Sequence, residues 1–218
     1  MAIARDATSE GNAASGESLT FSHVNGAISN TVLLVGFIIE VIGDPAPAVT
    51  YGGVSMTQAV VENNVALGWV YIYYLAGPAT GDNNVVIDWT GSAANHAISS
   101  SYTGCSQTGI PDSSATGEVA AGSSPLTVST TVVADNCWLA CFGASNLQTI
   151  AVGTGTNLVN DTNGGYGLFG DSNGVVGTGS QSQQVTWGGS NNVELVVISF
   201  APVAAPAGST FVPKISFM

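Results

Sequence analysis

The sequence predicts an all-β chain, an antiparallel, jelly-roll-like β-sandwich forming a single domain with extended terminal tails. Apolar residues recur at a period of two, and helical periodicity is almost absent. Gly, Asn, Asp and Pro interrupt the apolar runs at short intervals, as turns between strands do. The runs themselves are rich in Val, Ile, Tyr and Trp, which suit a pleated, half-buried surface.

Taken in order, residues 1–17 read as a polar arm, 18–202 as the sandwich, and 203–218 as a Pro/Ala linker with an apolar tail. Residues 19–23 (LTFSH) alternate. Residues 31–42 (TVLLVGFIIEVI) are apolar on both faces, so they read as a central strand covered on each side, ended by Pro45 and Pro47. Residues 48–56 form a hairpin whose Gly52-Gly53 pair supplies the positive φ of a primed turn. Residues 66–75 read as a second interior strand, followed by 85–89 and 97–102. Residues 103–124 read as a long Gly/Ser/Thr-rich connection, and 126–133 with 137–142 as a strand pair. In the Gly- and Asn-rich stretch 153–180 only 166–169 reads as structured; 185–187 and 193–200 close the sandwich. Short strands at this spacing favour a sandwich or jelly roll.

Composition narrows the function. The chain has 218 residues and a net charge of −12, with only two cations, Arg5 and Lys214. All 14 acidic residues lie between them. Phosphate recognition works by counterion release from lysine and arginine, so nucleic acid is not an expected partner. An anionic membrane surface is disfavoured by the same sign. The longest apolar run, 32–42, holds Gly36 and Glu40 and falls short of the ~20 residues of a spanning helix. Exposed sheet edges are commonly guarded by lysine. The body of this chain has none, which suggests edges covered by neighbours.

Candidate chemistry is sparse. His23 and His96 are the two histidines, and no Gly-x-Ser-x-Gly nucleophile elbow accompanies them. No catalytic residues and no cofactor are therefore expected. Two Asp-x-Asn-Gly turns offer Asp161, Asn163, Asp171 and Asn173 as calcium ligands. Neither turn carries a closing glutamate, and Asx turns account for the same residues without an ion. Trp69, Trp89, Trp138 and Trp187 lie within apolar strands and read as core in preference to sugar platforms. Cys105, Cys137 and Cys141 have neither disulfide nor zinc spacing and read as buried thiols.

Several landmarks recur in a recognisable order. They are Leu33-Leu34-Val35-Gly36, the stretch from Val49 through Tyr51-Gly52-Gly53 to Thr57, Tyr74 with Gly77-Pro78 and Gly81, Thr103-Gly104 after a strand, and Leu195-Val196-Val197-Ile198. Over residues 18–202 this order resembles a β-sandwich module of bacteriophage structural proteins and bacterial surface proteins. The resemblance implies a structural or adhesive role without catalytic residues. No secretory segment follows Met1, so the expectation is a virion protein made in the host cytoplasm. It would act as capsid decoration or cement, or as a fibre or spike subunit. The expected partners are other virion proteins and copies of itself, three being the expected number. Arg5, Phe211, Val212, Lys214, Ile215 and Phe217, in the two tails, are the expected assembly contacts. The alternative is an adhesin or carbohydrate-binding module, calcium-assisted and directed at a host-surface glycan.

Overall fold

The computed structural model describes residues 2–26, 29–64 and 66–204, and among them are seventeen strands and no helix. The first nine are β1 (Ala4–Ala13), β2 (Ser18–Asn25), β3 (Val32–Ile39), β4 (Ala48–Tyr51), β5 (Val54–Ser55), β6 (Thr57–Asn64), β7 (Gly68–Ala76), β8 (Gly81–Asp88) and β9 (Asn95–Thr103). The other eight are β10 (Ser113–Ser123), β11 (Leu126–Val132), β12 (Trp138–Ser145), β13 (Ile150–Val152), β14 (Asn157–Thr162), β15 (Gly167–Asp171), β16 (Gly179–Trp187) and β17 (Ser190–Phe200).

These strands form four antiparallel sheets in four layers. An outer sheet β2-β8-β4-β5 covers an inner sheet β1-β9-β3-β7-β6. A second inner sheet, β10-β17-β12-β15-β14, packs on the first, and the outer sheet β11-β16-β13 covers it. Within the first half the pairings β1 with β9, β2 with β8, β3 with β7 and β4 with β5 nest like one long hairpin rolled up. That is jelly-roll connectivity, in which the outer sheet buries one face and the inner sheet both.

The second half repeats the first. Substituting β10 for β1, β11 for β2, β12 for β3, β13 for β4 and β14–β17 for β6–β9 converts one pair of sheet orders into the other. The hairpin strand β5 alone has no counterpart. Residues 81–102 align with 179–200 without a gap, and Gly81/Gly179, Trp89/Trp187, Gly91/Gly189, Ser92/Ser190 and Ser101/Ser199 are identical. The four glycines all have positive φ, between 69° and 94°, a conformation that penalises a Cβ.

The halves meet across an approximate two-fold axis, because equivalent residues touch each other. Gly36 and Phe142 hold the same register position, opposite Ile98 and Val196 respectively. A Cβ on Gly36 would lie 2.6 Å from the Phe142 ring. Tyr102 and Phe200 are likewise equivalent, and their ring centroids are 5.0 Å apart. The shared core also holds Val32, Leu34, Ile38, Ile72, Trp138, Phe169, Val196 and Ile198, all buried. Strand β3 is therefore apolar on both faces, as its sequence demands: Leu33, Val35, Phe37 and Ile39 face the outer sheet, and Val32, Leu34 and Ile38 face the other half.

Several expectations need correction. Residues 4–13 of the expected polar arm form β1, and residues 113–123 of the expected connection form β10. The stretch 153–180 supplies β14 and β15 as well as the start of β16. The expected all-β, jelly-roll-like architecture is present, and residues 18–202 build all of one roll except β1 and all of a second that shares its central core.

Candidate functional site

The two histidines have different surroundings. His23, on β2, is fully buried between outer and inner sheet. Ser101 Oγ donates to Asp6 Oδ2 at 3.0 Å and so accepts from His23 Nε2 at 3.2 Å; Ser99 Oγ donates to Nδ1 at 2.9 Å. These bonds fix the neutral Nε2–H tautomer. Serine, histidine and aspartate thus meet, a grouping that strand spacing alone does not reveal. Their order is inverted for nucleophile activation, since the serine gives its proton to the carboxylate and takes one from the imidazole. Ser99, Ser101 and His23 are also wholly inaccessible. Burial, opposed in part by Asp6, lowers the His23 pKa from 6.5 to about 4.

His96, on β9, stands at the junction of the two halves. Its Nδ1 lies 3.0 Å from Asn12 Oδ1, which also accepts from Thr162 Oγ1. Its Nε2 lies 3.0 Å from Asn163 Nδ2 and 3.4 Å from Glu40 Oε1. Asn12 Oδ1 can only accept, so Nδ1 carries a proton, while Nε2 stands between Asn163 and Glu40. Glu40, Asn146, Asn163 and Tyr166 surround an open polar groove of about 370 Å³ beside this ring. Glu40 and Asn146 also line a second depression of about 310 Å³. They follow β3 and β12 at equivalent positions, so the groove opens at one end of the two-fold axis.

Arg5, expected as an assembly contact, is paired within the chain. Its Nε and Nη2 donate to Asp171 Oδ2 at 3.1 and 2.8 Å, and the Tyr102 hydroxyl donates to the same oxygen at 3.0 Å. Asp171 is fully buried, and such a carboxylate needs a cation and hydrogen bonds. The pair ties β1 in the first half to β15 in the second. Arg5→Met is expected to destabilise the fold by about 3 kcal/mol, chiefly by leaving Asp171 buried without its cation. Urea denaturation at neutral pH measures it.

The calcium candidates are drawn apart by the same pair. Asp171 Oδ2 is occupied by Arg5 and Tyr102, while Oδ1 accepts from Asn173 N at 2.8 Å in an Asx turn. Asp171 pairs with Asn157 and Asp161 with Leu168, so the two aspartates sit toward opposite ends of one hairpin, roughly 10 Å apart. Asn163 and Asn173 have φ of 53° and 46°, which asparagine tolerates in turns. Among the described residues no group of three His, Cys, Asp or Glu converges as a metal site. Trp89 and Trp138 are buried, and half-buried Trp187 donates Nε1–H to Gly122 O at 3.3 Å. The thiols of Cys105, Cys137 and Cys141 are buried and free, and burial pushes each up to about 12.

Sheet edges and one apolar basin make up the remaining surface of interest. All four inner-sheet edge strands, β1, β6, β10 and β14, carry a register shift against their neighbours. Such bulges obstruct strand addition. The outer-sheet edges β2 and β11, equivalent in the two halves, keep unbroken register over eight and seven pairs. Neither contains lysine, arginine, proline or an acid. The basin, about 420 Å³, lies where the chain leaves the second sandwich and is lined by Ile3, Ala134, Asp135, Val175, Pro202 and Val203 among others. Phe211, Val212, Lys214, Ile215 and Phe217, expected as assembly contacts, lie outside the described residues. Comparison with known protein families, with curated proteins and with solved structures returned no match.

Proposed function

We propose that this protein is a non-enzymatic structural subunit of a bacteriophage particle, either a capsid decoration or cement protein or part of a fibre or spike. It works through contacts with other virion proteins and with copies of itself, three being the expected number. The observation that carries the reading is the pair of equivalent edges β2 and β11. Both are regular, and neither has the charges or prolines that keep strands of other molecules away. Four other edges are bulged, and the remaining two, β5 and β13, are only two and three residues long. The double jelly roll adds a rigid body with a shared core, and the near absence of cations argues against nucleic acid as the partner. The resemblance of residues 18–202 to phage and surface modules supplies the virion setting.

Quantitative mass spectrometry and immunogold labelling of particles purified from lysates of the source culture test this directly. A high copy number per particle is expected. Particles devoid of the protein sink the proposal.

A carbohydrate-binding module is the second reading, and the groove beside His96 is the observation for it. Glu40, Asn146 and Asn163 present hydrogen-bonding groups next to the half-buried ring of Tyr166. A glycan array separates the two readings: strong binding that Tyr166→Ala abolishes favours the module.

A further inference from the structure

We propose that the apolar basin at the pole of the second sandwich receives the C-terminal segment, residues 209–218, of a neighbouring copy of this chain. The proposal rests on the assembly role above and names the contact through which copies join.

The basin is built from four parts of the fold that come together only in the native state. Ile3 arrives ahead of β1, Ala134 and Asp135 form the turn between β11 and β12, and Val175 lies in the loop before β16. Pro202 and Val203 complete it, with Val203 N donating to Gly104 O at 2.8 Å. Its lining is mostly aliphatic. Val175 is 60% exposed and Val133, in the adjoining turn, 70% exposed. These aliphatic groups are what a docked apolar segment would cover.

The occupant is argued from what the chain has left over. Fourteen residues, 205–218, follow the last described one, and Ala204 lines the basin itself. Fully extended they reach roughly 45 Å, well beyond the ~17 Å radius of gyration of a globule this size. Laid out as a strand, the sequence places Phe211, Ile215 and Phe217 on one face. These three side chains match an aliphatic cavity. Charge agrees as well. Among the described residues Asp135 is the one charged group lining the basin, and Lys214 is the one Lys or Arg in the sequence besides Arg5, which pairs with Asp171. Bodies that carry all 14 acids of a −12 chain repel each other, so a segment bearing a positive charge is the part suited to approach another copy. One basin and one tail per chain make the contact heterologous, and passing tails around three copies closes a ring.

The test uses the full chain in light scattering after size exclusion, with Val175→Asp and Phe211→Ala/Phe217→Ala variants beside it. A mass above one chain is expected for the natural sequence, with dissociation at least ~10-fold easier in both variants, as expected for loss of buried anchors. Val175 is exposed, so its variant keeps the fold, which unchanged circular dichroism and melting verify. A second measurement follows binding of a labelled peptide of residues 209–218 to a chain ending at Pro206. Both sandwiches are complete by then. Binding lost on Val175→Asp supports the proposal. A monomeric full chain overturns it, including the case in which the peptide binds the shortened chain, because the tail then serves its own molecule. Incorporation into particles is measured separately, so a monomer found at high copy number rejects this contact and leaves the assembly role standing.

Discussion

Phe142→Ala is expected to lower the unfolding free energy by about 3–5 kcal/mol, and Gly36→Ala by about 1–3 kcal/mol. The two changes together should cost clearly less than their sum. The reason lies in the two-fold relation of the halves. Residues 36 and 142 are the same position in two copies of one fold, and they meet face to face. Two large side chains there would collide, and two glycines would leave a void. One Gly opposite one Phe solves both. The Phe142 ring fills the space over Gly36, inside a core whose neighbours Phe169, Val196 and Ile198 are fully buried, so truncating it leaves a cavity that rigid strands cannot close. A methyl on Gly36 strikes Cδ2 at 2.6 Å and Cγ and Cβ at 2.7 Å. In the double variant two of those three atoms are gone and Cβ remains, so relief is partial. A double-mutant cycle by urea denaturation should give a favourable coupling of at least ~1 kcal/mol. Strict additivity would mean that the inner sheets do not pack through this pair.

How much of this was legible beforehand depends on where the signal sits. Strand β3 was readable because a strand apolar on both faces must be covered on both, and Leu33 to Ile39 are buried on both. The Gly52-Gly53 hairpin was readable because φ of 56° and 79° is affordable to glycine. Strand β10 was not. Its sequence, SSATGEVAAGS, carries one β-branched aliphatic residue, and its ladder comes from pairing with the strongly apolar β17, a non-local cause. The polar strand β1 owes its place to β9 and to the bond between Arg5 and Asp171, 166 positions away. The duplication left a faint trace. Between residues 81–102 and 179–200 five of the 22 positions are identical, at turns and at the strand ends. Elsewhere the halves conserve burial while exchanging the residues that provide it, as at Gly36 and Phe142. The edge argument, made from missing lysines, becomes narrower in three dimensions. Bulges guard four edges, β5 and β13 are only two and three residues long, and β2 and β11 are the long regular pair.

Acidification should expose the cost of His23. Its pKa is about 4 in the folded chain against 6.5 for an unperturbed imidazole, because burial removes the water that would solvate a charged ring. A folded pKa below the unfolded one means that the unfolded chain binds the proton first. The contribution is therefore whole above pH 6.5, declines as pH falls through the interval from 6.5 to 4, and is lost below it. At ~1.4 kcal/mol per pKa unit, the swing is about 3 kcal/mol. His23→Gln removes the titrating group while keeping an amide within reach of Ser99 and Ser101. The variant is expected to be less stable at pH 7, because the exact bond lengths to both serines are lost, and flatter with pH between 6.5 and 4. Urea midpoints for both chains across that range provide the comparison, and parallel curves would show that His23 is not the group that titrates. The position of His23 explains why the effect is large. Ser101 accepts from Nε2–H and Ser99 donates to Nδ1, so a second ring proton must go on Nδ1, turns the Ser99 hydroxyl away and brings a charge to the buried face of β2.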